Sequence, residues 1–189
     1  RVGIEAEVLN SSIPFHYRVR HVLIESPHVV IVVPTKDNPD LLLSCVRSLY
    51  SKIAYRNFEV VVVDVQSANP ETFELYKTLE NRYPTLSVKP WNHDFNYAAI
   101  ANFVARLTEG EYLFFINDDT KVLVDDLLET MLGYFQQDNV GVVGGQQLFS
   151  DGTIEHAGLA LGKNKVVNPL SRYMASDWQG YLKRTAIAQ

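Results

Sequence analysis

The chain has 189 residues, 47% of them hydrophobic and 21% charged, with a formal net charge of -5. That composition fits one soluble globular domain of ordinary size, and the acidic balance argues against a nucleic-acid partner, which requires a basic face. A single cysteine, Cys45, excludes an internal disulfide, and no apolar run approaches the roughly 20 residues of a membrane helix.

Residues 1–27 are mixed in character, with Pro14, Pro27 and the stretch Arg18-Val19-Arg20-His21, and read as an arm or linker ahead of a body at 28–189. Val29 to Val33 is a β-branched run closed by Pro34, the pattern of a buried strand. Asn38-Pro39 then starts a helix with Leu42, Val46 and Leu49 on its apolar face. Phe58 to Val63 is a second buried strand, ending at Asp64. Asn69-Pro70 repeats the helix-start signal ahead of Phe73, Leu75, Tyr76 and Leu79, and Leu86 to Val88 is a short strand.

Tyr97 to Leu107 reads as a helix with Ile100, Ala101, Val104 and Leu107 on one side, and Gly110 is placed to end it. Tyr112 to Ile116 is a third apolar strand, followed by Asn117-Asp118-Asp119. A helix over Leu123 to Gln136, with Asp125 and Asp126 near its positive end, and a strand at Val140 to Val143 before Gly144-Gly145 come next. Asp151-Gly152 is a hairpin turn, and residues 163–180 read as a loop. Strands alternating with amphipathic helices specify an α/β fold, Rossmann-like, with a mostly parallel sheet covered on both faces.

In such sheets ligands bind beyond the carboxyl ends of the strands. Three of these ends are polar: Pro34-Thr35-Lys36-Asp37, then Asp64 with Ser67 and Asn69, then Asn117-Asp118-Asp119. A parallel sheet gathers all three on one edge, and clustered carboxylates call for a cation. Magnesium and manganese suit the position, because they use one or two protein carboxylates together with substrate phosphates. Each cluster also has a plainer reading, as a helix cap or a solvated turn. The chain has no glycine-rich phosphate loop, no nucleophile elbow and no zinc spacing among its five histidines and one cysteine. Cys45, among Leu42, Leu43, Val46 and Leu49, reads as buried and inert. His16, His21 and His28 read as surface residues, His93 ahead of a helix as a surface residue that could also line the mouth of the site, and His156 leaves both solvent and ligand open.

Several of these stretches resemble family 2 glycosyltransferases. Val30 to Asp37 is similar to their opening strand and loop, and Phe58 to Asp64 to their second strand with its base-reading aspartate. Phe95 to Asn102 resembles their donor-site helix, and Gly110 to Asp119 the strand bearing their metal motif. Asp151 to Gly158 looks like a signature of the bacterial polysaccharide or O-antigen branch. The resemblance implies a GT-A fold and inverting transfer from a nucleotide-diphospho-sugar, UDP- or dTDP-linked, to a glycan or lipid-linked acceptor. It places Pro34, Thr35, Lys36 and Asp37 around the nucleotide, Asp64 on a pyrimidine, and Asn96 and Asn102 near the ribose or phosphates. Asp118 falls near the ribose or donor sugar, and Asp119 on Mn2+ or Mg2+.

Two departures stand out: Asp64-Val65-Gln66-Ser67 replaces an Asp-Asn-x-Ser pattern, and Asn117 replaces the first metal-motif carboxylate. The family's general base would follow Gln189, so the C-terminal part of the fold is expected to be incomplete and this chain by itself to transfer sugar poorly or not at all. The implied location is cytoplasmic, with peripheral contact at the inner membrane face left open, and the oligomeric state is not set. A sugar nucleotidyltransferase, a phosphate-receiving signalling domain and a non-catalytic relative are the competing readings. The first lacks its glycine-rich loop here, and the second lacks an acidic pair after the first strand.

Overall fold

The computed structural model describes residues 5–10, 17–161 and 167–176. Its elements are β1 (Ala6–Asn10), β2 (Tyr17–His21), β3 (Val29–Thr35), α1 (Pro39–Lys52), β4 (Phe58–Asp64), α2 (Pro70–Arg82) and β5 (Leu86–Pro90). They continue with α3 (Tyr97–Leu107), β6 (Tyr112–Phe115), α4 (Leu127–Phe135), β7 (Gln147–Leu148), β8 (Ile154–His156), β9 (Leu159–Leu161) and β10 (Val167–Pro169). The chain divides into two compact units, Ile24–Leu128 and a unit formed by Arg1–Leu23 with Glu129–Gln189.

The Ile24–Leu128 unit holds the expected parallel α/β sheet, whereas residues 129–189, expected in the same body, group with residues 1–23. The parallel sheet has the order β5-β4-β3-β6. β3 is buried along almost its whole length and β4 nearly so, which is why both read as unbroken Val/Ile runs. Alternate residues supply the two faces. Val30, Val32, Val61, Val63 and Val65 pack with Ile100 and Val104 of α3, with Leu113, Phe115, Trp91 and Phe103 at the margin. The opposite face carries Ile31, Val33, Val60 and Val62, and there Tyr76 of α2 bonds to Asp64 at the end of β4. α1 buries Leu42, Cys45, Val46 and Leu49 and packs against α2. The sheet is thus wound in two directions, β3-β4-β5 one way and then back past β3 to β6.

Both Asn-Pro signals start helices. Asn69 accepts from the Glu71 amide at 3.0 Å, a cap worth about 1 kcal/mol, whereas Asn38 makes no side-chain cap bond. β3 runs two residues past the expected end because Pro34 and Thr35 stay in register with Val63 and Asp64, and Val65 donates to the Thr35 carbonyl at 2.9 Å. α3 has the expected bounds, but Gly110 does not end it. Thr108 does, with its amide and hydroxyl both bonded to the Val104 carbonyl. Gly110 is needed instead at the entry to β6, where a Cβ would overlap Val30 Cγ2.

The helix expected from Leu123 begins at Leu127. Residues 122–125 are held against α1 and the segment after it, through Val122 N to Ser48 Oγ at 3.0 Å and Ala54 N to the Asp125 carbonyl at 2.9 Å, so they do not enter the helix.

In the flanking unit, residues expected in an arm form the β1-β2 hairpin, with Arg20 bonded to Glu7 and His21 edge-on to Tyr134 at 5.4 Å. Val140 to Val143, expected as a strand, pairs with no described strand, and Val142 is 90% exposed. The Asp151-Gly152 turn joins β7 to β8 as expected, with Gly152 at φ 84 and Asp151 Oδ1 accepting from the Thr153 amide and hydroxyl. Those bonds hold the Asp151 carboxyl below its usual range. Part of the loop expected over 163–180 lies outside the described residues, and within the rest β10 pairs with β9 and Ala175 bridges to Thr153. No helix among the described residues is long and apolar enough to cross a membrane.

Replacing Gly110 with alanine should lower stability by about 1–3 kcal/mol, because Val30 is locked in the core. Urea denaturation should show a lower midpoint with an unchanged slope.

Candidate functional site

The winding reverses between β3 and β6, so the loops that leave these neighbouring strands diverge and leave a crevice at the carboxyl edge. A cleft of about 450 Å³ opens there, lined by Pro34, Thr35 and Lys36 on one side and Asn117, Asp118 and Asp119 on the other. A hydrogen bond spans the reversal: the buried Thr35 hydroxyl donates to Asp118 Oδ2 at 2.6 Å. Asp119 beside it is exposed, with only a 3.5 Å contact from the Thr120 hydroxyl. Lys36 is exposed and forms no ion pair among the described residues.

The acidic turn is fixed from below by α1. Cys45 Sγ lies 3.6 Å from the Asn117 carbonyl, and Ser48 Oγ accepts from Val122 N while donating to the Cys45 carbonyl at 2.7 Å. The Thr120 amide closes the turn onto the Asn117 carbonyl at 3.2 Å. Burial, and after it the charges of Asp118 and Asp119, push the Cys45 thiol up to about 12. The cysteine is buried and protonated, as its apolar neighbours implied.

Asp64 ends β4 on the same edge, as expected, but points toward α2. Its Oδ1 accepts from the Tyr76 hydroxyl at 2.9 Å and the Ser67 amide at 3.1 Å. Burial raises the Tyr76 hydroxyl above its usual range. Asp37 adopts φ 52, and its Oδ1 accepts from the Ala68 and Asn69 amides, each at 2.8 Å, while its own amide donates to Ser67 Oγ at 3.0 Å. It ties the loop after β3 to the loop after β4 and does not line the cleft.

A second cavity of about 570 Å³ lies against the β5-α3 loop, where Trp91 and Asn96 line it with His93. Asn96 caps α3 by accepting from the Ala99 amide at 3.0 Å. His93 packs edge-on to Trp91 at 4.9 Å and is exposed as expected. Asn102 sits on the exposed side of α3, away from Ile100 and Val104, and lines neither cavity.

The structure therefore brings Pro34, Thr35, Lys36, Asp118 and Asp119 together, places Asn96 in the adjoining cavity, sets Asp37 and Asp64 in the supporting network, and leaves Asn102 outside. His156 lies in the flanking unit, its Nδ1 accepting from the Gly158 amide at 3.3 Å, and His16 lies outside the described residues.

Sequence reasoning missed Tyr76, Ser48, Gln66 and Tyr97. The signal for Tyr76 was there: a tyrosine on the apolar face of a helix needs a partner for its hydroxyl, and the preceding strand ends in an unpaired carboxylate.

Among the described residues no three His, Cys, Asp or Glu side chains form a metal-ligand group. Asp118 keeps one oxygen free of Thr35 and Asp119 is accessible, so the donor set fits a hard cation that draws its remaining ligands from phosphates and water.

Removing the Tyr76 hydroxyl with Tyr76→Phe should cost about 1–2 kcal/mol in urea denaturation, because the buried Asp64 carboxylate loses a donor. Cys45 should resist alkylation by iodoacetamide at about pH 8 in the folded chain and react promptly once denaturant is added, since the thiolate is the reactive form.

A sequence profile described as Glycosyl transferase family 2 matches residues 30–184. The chain is 42% identical over 162 residues to the O-antigen biosynthesis protein RfbC of Myxococcus xanthus, covering 86% of this chain and 12% of that protein. It is 32% identical over 187 residues to an uncharacterized protein, y4gI, of Sinorhizobium fredii, covering 99% of this chain and 21% of that one. The chain thus spans less than a quarter of the length of either relative.

Among solved structures, the mannosyltransferase PcManGT from Pyrobaculum calidifontis in complex with GDP-Man and Mn2+ superposes with a TM-score of 0.57. The superposition covers 62% of this chain and 35% of that one, at 23% identity. TarS 1-349 of S. aureus superposes with a TM-score of 0.50 over 63% and 39% of the two chains, at 19% identity. These likenesses carry the fold, which is the expected GT-A type, while the profile match and the identity to the curated relatives carry the family: the chain belongs to glycosyl transferase family 2.

Proposed function

We propose that the cleft between the β3 and β6 loops binds the diphosphate of a nucleotide-sugar, and that the chain serves transfer of that sugar to a glycan or lipid-linked acceptor with inversion at the anomeric carbon. The observation that carries this reading is the Thr35–Asp118 bond, which holds two loops from separate strands around one cleft with Lys36 and Asp119. Lys36, exposed and without an ion pair among the described residues, supplies an ammonium for a phosphate oxygen. Asp119 with Asp118 would hold Mn2+ or Mg2+, which when bound supplies positive charge to the departing diphosphate. The Thr35–Asp118 bond keeps one Asp118 oxygen occupied and so fixes how the other faces the cleft.

The Tyr76 and Ser67 donors fix Asp64 through Oδ1, which leaves Oδ2 for the imide edge of a uracil or thymine. Asn96, already capping α3, keeps its amide NH2 for the ribose or a phosphate. Pro34 walls the same cleft, and Asp37 acts there by holding two loops together rather than by contact with the nucleotide. The base that deprotonates the acceptor hydroxyl is assigned to no residue described here. A relative named for O-antigen biosynthesis, and a fold relative solved with GDP-Man and Mn2+, support a role in building bacterial polysaccharide from a metal-bound nucleotide-sugar.

Calorimetric titration of UDP, dTDP and GDP with and without Mn2+ tests the reading. Manganese should tighten binding of at least one, and Asp119→Ala should remove that gain, about tenfold or 1.4 kcal/mol, while metal-free binding is retained. Equal affinity with and without metal in the unaltered chain, or an undiminished manganese effect in Asp119→Ala, would contradict it.

A further inference from the structure

We propose that Gln66 is a specificity-determining residue whose side-chain amide contacts the neutral part of the bound donor, its base or its sugar. The inference rests on the nucleotide-sugar reading above. Two residues on neighbouring loops differ in how their backbones are supported. Asp37 and Gln66 both adopt left-handed backbone conformations, at φ 52 and φ 58. Aspartate tolerates that region, and Asp37 is compensated there by two amide bonds at 2.8 Å. Gln66 has neither advantage. Its longer side chain gives no local support to a left-handed residue, it is exposed, and its amide makes no hydrogen bond among the described residues. Glycine would take this conformation freely. A left-handed backbone at a residue whose side chain has no partner among the described residues points to a role outside the fold's own stability.

Its position supplies that role. Gln66 lines both cavities, at the wall they share with Asp94 and Phe95. The first cavity holds Lys36, Asp118 and Asp119 and suits the charged diphosphate. The second is lined by Trp91, His93 and Phe95, the amides of Asn92 and Asn96 and the Asp94 carboxylate, with no lysine or arginine to pair with a phosphate. That lining suits a neutral ring bearing hydrogen-bond groups. The Gln66 amide carries a donor and an acceptor side by side, which suits a ring carbonyl that Asp64 leaves free on a base or a pair of adjacent sugar hydroxyls. A residue placed where the two cavities meet can reject a ligand that leaves its amide unpaired.

The test uses the full chain with Mn2+ and two ligand series. One is UDP, dTDP and GDP, and the other is UDP-glucose, UDP-galactose and UDP-N-acetylglucosamine. The variants are Gln66→Gly, which relieves the backbone, and Gln66→Asn, which tolerates the conformation and keeps a shorter amide. Gln66→Gly should raise Tm and at the same time compress the spread of affinities within one series by about tenfold, with Gln66→Asn between it and the unaltered chain. A purely structural role would not raise stability while lowering discrimination. Compression among the nucleoside diphosphates assigns the amide to the base, and compression among the UDP-sugars assigns it to the sugar. Unchanged spreads in both series, or equal affinities throughout in the unaltered chain, overturn the proposal and leave the nucleotide reading standing. Failure of the unaltered chain to bind any member of either series removes that reading and this proposal with it.

Discussion

The parallel pairing of β3 between β4 and β6 is the constraint on which everything else rests. It puts the carboxyl ends of three strands on one edge, with Thr35 level with Asp64 and Ile116 bonded to the Val32 carbonyl. Both faces of β3 are buried, so a slip of register by one residue would exchange its two sets of packing partners and is strongly disfavoured. The return crossing through α3 then parts the loops after β3 and β6, and the single bond from Thr35 to Asp118 closes that parting at its base. A cleft results whose walls come from distant parts of the sequence but whose floor is the buried centre of the sheet.

Support for the cleft comes mainly from polar groups that satisfy one another. Asp37, Ser67, Asp64 and Tyr76 form a connected set linking the loop after β3, the loop after β4 and α2. The Trp91 amide extends the set by donating to the Asp64 carbonyl at 2.8 Å, and the Trp91 ring nitrogen donates to the Asp94 carbonyl. Such a network is costly if broken at its centre, because the Asp64 carboxylate and the Tyr76 hydroxyl would remain buried. Asp37, which looks like a ligand contact in the sequence, is here the fastener between the loop after β3 and the loop after β4.

What could be read from the sequence followed from periodicity and burial. β3, β4 and β6 appear as unbroken apolar runs because they are covered on both faces or packed in the sheet, and the Asn-Pro pairs mark where α1 and α2 start. The strand ends then locate the cleft, and Pro34, Thr35, Lys36, Asp118 and Asp119 fall in it together. Hydrogen bonds between loops were less legible. Nothing in Asp37 by itself reveals that its carboxylate is already occupied by Ala68 and Asn69. The start of α4 was misplaced because Val122 and Asp125 are bonded to α1 and the segment beyond it, a tertiary tie that overrides local helical preference. Val140 to Val143 shows the same limit from the other side: a β-branched run without a described partner strand does not become one. Hairpin pairing at residues 6–21 was hidden by mixed composition, since an exposed two-stranded ribbon needs no long apolar stretch.

Cys45 occupies a point where helix packing and carboxylate geometry share one atom. Its sulfur fills the space between the buried face of α1 and the Asn117 carbonyl at the head of the acidic turn. A bulkier group at position 45 would wedge the turn away from the helix, and a smaller one would let it settle inward, so the volume of one side chain sets how deep Asp118 and Asp119 sit. Adjustment of the Asp118 and Asp119 carboxylates is therefore available to mutation from within α1, without altering any residue that lines the cleft.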